Sequence, residues 1–272
     1  MKARSALSAE RTSGGGLGEP GGSPSSNPQL IAATRPSALS SVVAFYRLLL
    51  RTQVTIPRLL GIGALGALSL LLGVFARLDD NSPQAATDAI SSYGLAVLVP
   101  LATLWLGTSA VGDLVEDRLL VYLWLKPVSR WQLPAAAILA TVSVALPLAA
   151  LPLVLSAVIA GAGDVAWATL LAAPLATLAY AGLFVAAGLW FRRAVWWGLA
   201  FVLIWENAVA YTAEGTSRVT VVGWASSVLA RAPGVDVQLQ AGSAAVALVV
   251  LPAVAIAAWL IATWRYRRAD ID

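Results

Sequence analysis

From residue 59 onward the chain alternates long apolar runs with short polar or charged breaks. A helix that crosses a bilayer needs about 20 consecutive apolar residues. Six stretches meet that need: 59–76, 93–112, 135–160, 167–191, 194–212 and 242–264. Pro147 and Pro152 fall inside the third. Neighbouring helices can satisfy the carbonyls such prolines release, so a kinked span is expected there. Residues 38–58 are patterned differently. Val42, Phe45, Tyr46, Leu48 and Leu49 are interleaved with Arg47, Arg51 and Arg58. That pattern predicts an amphipathic interfacial helix with its arginines towards lipid phosphates. The connection 213–241 is mildly apolar, with Val219 to Trp224 and then Val228-Leu229, but too interrupted to cross. A short re-entrant or surface helix is expected in it.

Residues 1–37 belong to another class of sequence. Gly14-Gly15-Gly16, Pro20-Gly21-Gly22 and Ser23-Pro24-Ser25-Ser26 give nothing to bury, which predicts a disordered tail. No apolar h-region of a secretory signal precedes Leu39. The expected organisation is therefore a tail over 1–37 and a membrane domain over 38–272. The fold class is an all-α membrane protein of six transmembrane helices, an N-terminal interfacial helix and a further cytoplasmic helix argued below.

Composition sharpens this. Apolar residues make up 59% of the 272 residues and charged ones 12%, with a mean hydropathy of +0.78. A soluble domain of this length could not hide that much apolar surface, so a soluble enzyme is excluded. Cysteine and histidine are both absent. Thiolate and Ser-His catalysis and zinc sites of the Cys/His kind are therefore excluded for this chain alone.

Charge sets the expected topology. With the N-terminus inside, only Arg77, Arg218 and Arg231 of the 18 basic residues fall outside. The positive-inside rule then places both termini in the cytoplasm, with the plasma membrane as the setting. Trp190, Trp196, Trp197 and Trp264 fall at the proposed inner boundary, where an aromatic belt is expected.

The most informative connection is 113–132. Glu116, Asp117 and Arg118 lead into the apolar run Leu119 to Leu125, and Pro127 stops it before Ser129 and Arg130. A surface helix flanked by both signs of charge suits docking of a soluble partner, with the charges setting register. The same segment resembles the permease subunits of type-2 ATP-binding cassette transporters. Their pattern is an acidic or Glu-Arg pair, often Gly-Thr, an apolar run and Pro-x-Ser-Arg. Glu116, Asp117, Arg118, Pro127, Ser129 and Arg130 match it, while Leu119-Leu120 replaces the Gly-Thr. The resemblance covers about residues 40–270. It implies a cytoplasmic coupling helix on 113–132, docked by two copies of a separate ATPase that binds ATP and magnesium. It also implies a second permease, as a homodimer or a related chain, and export by alternating access. The lysines Lys2 and Lys126 follow no phosphate-binding loop, so no nucleotide cofactor is expected on this chain.

Two further features carry chemistry. Glu206, followed by Asn207, is the one acid well inside an apolar run. A carboxylate at that depth is costly and marks a substrate pathway, or a pair with Arg218 or Arg231. It also leaves open an ion-coupled secondary transporter, beside a membrane assembly protein without transport. Gly161-Ala162-Gly163-Asp164 resembles the Gly-x-Gly-Asp of intramembrane aspartyl proteases, but no span supplies the second aspartate that chemistry needs. The small residues Gly61, Gly63, Gly66 and Ala67 form a cluster suited to an inter-subunit face. No metal site and no nucleic-acid partner is expected.

Overall fold

The computed structural model describes residues 38–116, 131–191, 193–208 and 216–268. Every regular element among them is helical. Five helices are long and apolar enough to cross a membrane, which defines a multi-pass membrane protein.

Helix α1 is Ala38–Gln53 and α2 is Ile56–Arg77. The helix expected over 38–58 thus ends five residues earlier than the sequence pattern gave. Thr55 is extended, and Pro57 at the start of α2 cannot continue a preceding helix, so the chain breaks at Val54-Thr55. Arg47 and Arg51 are exposed on α1, whereas Arg58 lies in the first turn of α2. There its Nη1 donates to the Thr52 carbonyl oxygen at 3.0 Å, tying the two helices across the break.

Helix α3 comprises three contiguous pieces, Ser82–Ala89, Ile90–Leu98 and Val99–Glu116. It begins eleven residues before the sequence-predicted span. Asp88, Ser91 and Ser92 hid that start, because they break the apolar run without breaking the helix. Helix α4 likewise has three pieces, Gln132–Ala145, Leu146–Ala150 and Leu151–Ile159. Its middle piece is a wide π turn just before Pro152, which has no N–H to offer the Leu148 carbonyl four residues back. Helix α5 is Gly163–Trp190. The turn that enters it carries Gly161 at φ 81°, a backbone conformation that favours glycine.

Helix α6 runs over Ala194–Ala208 as an α piece and a π piece. At 1.5 Å per residue it is about 22 Å long, short of the roughly 30 Å hydrocarbon core. The sequence-predicted span 194–212 is therefore a shorter helix over its described part, and residues 209–215 lie outside the described residues. A 3-10 turn, Thr216–Val219, leads into α7, Val221–Leu229, and the last helix is α8, Ala244–Arg268.

Alanine-rich α5 is the centre. It packs against α3, α4, α7 and α8, burying Tyr180 and Phe184 completely or nearly so. Small side chains let the helices approach closely where large ones could not. Helices α2 and α8 are the least buried of the five spans. The bundle has two chemically distinct ends. At one, Arg77 Nη1 donates to the Ile159 carbonyl oxygen at 3.2 Å, and Gln84 exchanges two 2.8 Å hydrogen bonds with the backbone of Asp236. At the other, Trp131 meets Trp259 edge-on and Trp190 lies 6.4 Å from Trp264. Arg265 and Arg268 stack over Trp190 and Trp264, at 5.9 and 4.0 Å from the ring centroids.

Candidate functional site

Glu206 is the only charged side chain buried among the described residues. Its position follows from local chain chemistry. Helix α6 widens into a π turn over Phe201–Ala208, which rotates Glu206 inward while Leu203, Ile204 and Trp205 stay exposed. A carboxylate taken out of water needs hydrogen bonds to repay its lost solvation. Glu206 finds them at the start of α7. Val221 N–H donates to Oε1 at 3.1 Å and Val222 N–H to Oε2 at 3.0 Å.

This is a helix N-terminus closed by a negative charge. The first N–H groups of a helix have no partner inside it, and their dipoles favour an anion. Thr220 completes the closure, its Oγ1 accepting from Gly223 N–H at 3.1 Å. Three donors of α7 are thereby met by two side chains, one of them from another helix. The Tyr180 hydroxyl, fully buried on α5, faces the same carboxylate without meeting hydrogen-bond geometry.

The surroundings are bonded piece by piece. Trp205 Nε1 donates to the Val219 carbonyl oxygen at 3.2 Å, and Trp224 Nε1 to the Arg218 carbonyl oxygen at 2.8 Å. Ser217 Oγ donates to the Gln240 carbonyl oxygen at 2.9 Å, and Ser227 Oγ accepts from Ala241 N–H at 2.9 Å. Gly223 is required by close approach, since a Cβ there would lie 2.1 Å from the Ser217 carbonyl oxygen. Helix α7 is thus a buried plug packed against α5, α8 and the Ile90–Leu98 piece of α3, and hydrogen-bonded to Glu206 of α6.

Asn207 serves a different purpose. Its Nδ2 donates to the Val202 carbonyl oxygen at 2.8 Å, inside the π turn, and to the Ala96 carbonyl oxygen at 3.3 Å. Ala96 precedes Pro100 by four residues, so its carbonyl lacks the usual helical donor. Asn207 supplies it from the neighbouring helix.

The sequence expected Glu206 on a pathway, or paired with Arg218 or Arg231. Both oxygens are instead occupied by backbone donors, and among the described residues no ion pair holds it. Of the six coupling residues, Glu116 ends α3 with its side chain outside the description. Asp117, Arg118, Pro127, Ser129 and Arg130 lie outside the described residues altogether. Asp164 sits in the first turn of α5, where a negative charge suits the helix dipole. Among the described residues no three of His, Cys, Asp and Glu converge in a way that could hold a metal.

Sequence reasoning missed Thr220, Tyr180 and Gly223. Thr220 carried a usable signal, a threonine immediately before an apolar run. Tyr180 carried a weaker one, a phenol in an alanine-rich span that must point somewhere polar. No known family profile matches the chain, and no curated protein matches it significantly.

Proposed function

We propose that this chain is the membrane-spanning permease subunit of an ATP-driven transporter of the type-2 class, and an exporter. The observation that carries the reading is the segment Glu116-Asp117-Arg118 to Pro127-Val128-Ser129-Arg130, set between α3 and α4. Both helices meet it at the end of the bundle where the described charged side chains are arginines: Arg47, Arg51, Arg58, Arg193, Arg265 and Arg268. The opposite end holds Asp79, Asp80, Asp88, Asp164 and Asp236 beside Arg77, Arg218 and Arg231. That asymmetry supports a cytoplasmic arginine-rich end and cytoplasmic termini in a plasma membrane. A short helix ahead of the first span and a buried one ahead of the last also suit the family pattern.

In this reading two ATPase chains dock on residues 113–132 of two permease copies. Their closure on ATP pulls the α3–α4 connection and rocks the helices between inward- and outward-facing states. ATP and magnesium belong to the partner. Glu206 holds α7 in place, so the outer part of the pathway moves with α6 as one piece.

Release from native membranes in mild detergent, followed by mass spectrometry, tests the class. A stoichiometric partner with a phosphate-binding Walker loop is the expected result. Recovery of the chain alone or only with itself, after crosslinking, defeats the reading. A second test is finer. Glu116→Lys or Arg130→Glu should leave insertion and abundance intact while transport and substrate-stimulated ATP hydrolysis separate. Unchanged coupling in both variants removes the docking role from this segment. Ion-coupled transport through Glu206 is less favoured, because its two oxygens are already engaged.

A further inference from the structure

At the acid-bearing end of the bundle, a groove of about 220 Å³ lies between the start of α5 and the turn that follows α7. Asp164 lines it from α5 and Arg231 from the turn. Both are exposed, and among the described residues no ion pair joins them or engages either one. Their chain neighbours are all described. Over residues 154–174 and 221–241 the only further charged residue is Asp236, which does not line the groove. The two walls have separate anchors. Arg77 Nη1, on the Ile159 carbonyl oxygen, holds the turn that enters α5, and Gln84 clamps the backbone of Asp236 beyond Arg231. An acid and a base thus share one groove without closing on each other. Trp167, Ala168 and Leu171 continue the lining along α5. With Asp164 they stand at i, i+3, i+4 and i+7, which is one face of a helix over about 10 Å. Trp167 is 71% exposed and Leu171 48%, on a helix long enough to cross the bilayer.

We propose that this groove holds the headgroup of a zwitterionic phospholipid with a primary ammonium, drawn from the leaflet at this end of the bundle. A groove with both signs of charge selects a ligand with both. A plain anion on Arg231 would meet the Asp164 carboxylate, and a plain cation on Asp164 would meet the guanidinium. A phosphate joined to an ammonium by a short ethylene bridge satisfies the two at once. The guanidinium fork matches phosphate oxygens in pairs. The carboxylate accepts hydrogen bonds from a primary ammonium, which a quaternary one cannot donate. The apolar part of the lining distinguishes a lipid from a free zwitterion. A tryptophan at headgroup level offers its ring to the first carbons of an acyl chain, and Leu171 continues that contact one turn deeper. The groove has room for a headgroup, while the chains lie outside it along α5. The inference stands apart from the transport reading, since its readout is binding by the chain itself.

The test uses the purified full-length chain in detergent, titrated with phosphatidylethanolamine, phosphatidylcholine, phosphatidylglycerol or water-soluble phosphoethanolamine, and read by native mass spectrometry. Exposed charge contacts are weak one at a time, so the expected preference is modest. Phosphatidylethanolamine should be retained about tenfold more tightly than either other lipid, and phosphoethanolamine should not displace it. The two charges are exposed, so single substitutions leave the packing intact. Asp164→Asn should abolish the preference for the primary ammonium. Arg231→Gln should weaken retention of phosphatidylethanolamine and of phosphatidylglycerol alike. Asp80→Asn, an exposed acid at the same end that does not line the groove, should change neither. Equal retention of the three lipids by the parent chain overturns the proposal. So does an unchanged preference in Asp164→Asn, and so does displacement by phosphoethanolamine, which would mark a site for a free zwitterion.

Discussion

Replacing Glu206 with leucine should unseat α7 and open it to water. The N–H groups of Val221 and Val222 would lose the carboxylate oxygens that accept from them, in a site that is fully buried. Leaving a buried donor unsatisfied costs about 1–3 kcal/mol, so the pair puts several kcal/mol at stake. Glu206→Gln should fall between, because its single carbonyl oxygen can accept from one of the two. The absence of native cysteine makes the measurement direct. Ser226 on α7 is fully buried and its Oγ has no hydrogen-bond partner, so Ser226→Cys exchanges one small side chain for another at little cost. A water-soluble maleimide should leave Cys at this position unmodified in the parent and label it in the Glu206→Leu background. The thermal midpoint in detergent should fall alongside. An unlabelled thiol in both backgrounds, with an unchanged midpoint, would sink the capping role.

The membrane class and most of the span positions were legible because lipid imposes one rule on long stretches of chain. Every crossing helix must be apolar over its length, so a run such as 242–264 declares itself. Less was legible where polar residues continue a helix. Asp88, Ser91 and Ser92 stop the apolar run near Tyr93, yet α3 starts at Ser82. The reason is local. Ser91 Oγ and Ser92 Oγ both donate to the Asp88 carbonyl oxygen, and Gln84 bonds Asp88 and Asp236. Those bonds let a polar stretch stay helical beside the α7 connection. Nothing in a hydropathy pattern encodes them.

The buried carboxylate shows the same limit from the other side. Its depth and rarity drew attention to Glu206, and the structure does bury it. Its partner could not be read, because that partner is the main chain of a segment fifteen residues further on. Main-chain N–H groups leave no mark of charge in the sequence, so arginines are the natural expectation for a buried carboxylate. Asn207 carries no signal of its own in the sequence beyond its place beside Glu206. Its bond to the Ala96 carbonyl depends on Pro100 in another helix, a relation between distant positions that one sequence does not display.

Gly73→Val should destabilise the chain strongly, whereas Gly63→Val should leave it folded. Both positions are glycines on α2, ten residues apart. Their surroundings differ. Ile62, Gly66, Ser69, Gly73 and Ala76 make the buried seam of α2, at alternating steps of four and three. A Cβ at Gly73 would sit 2.5 Å from the Ser156 carbonyl oxygen and 2.8 Å from its Cα, and backbone atoms of α4 cannot swing aside. A Cβ at Gly66 would come 2.9 Å from the Leu148 carbonyl, the one Pro152 leaves without its donor. Much of the small-residue cluster is thus spent inside the chain, against α3 and α4, and not on another subunit. Gly63, with nothing within 4 Å, and exposed Ala67 are the exceptions. Wedging α2 off α4 at Gly73 should cost about 1–3 kcal/mol, and the Arg77–Ile159 bond one turn on would open first. Thermal midpoints of the two variants in detergent, matched in side chain and helix, isolate the packing term. Equal losses would mean that valine in α2 is harmful for reasons other than contact. A folded Gly63→Val that has lost a native oligomer would instead give the open stretch of α2 to a second copy.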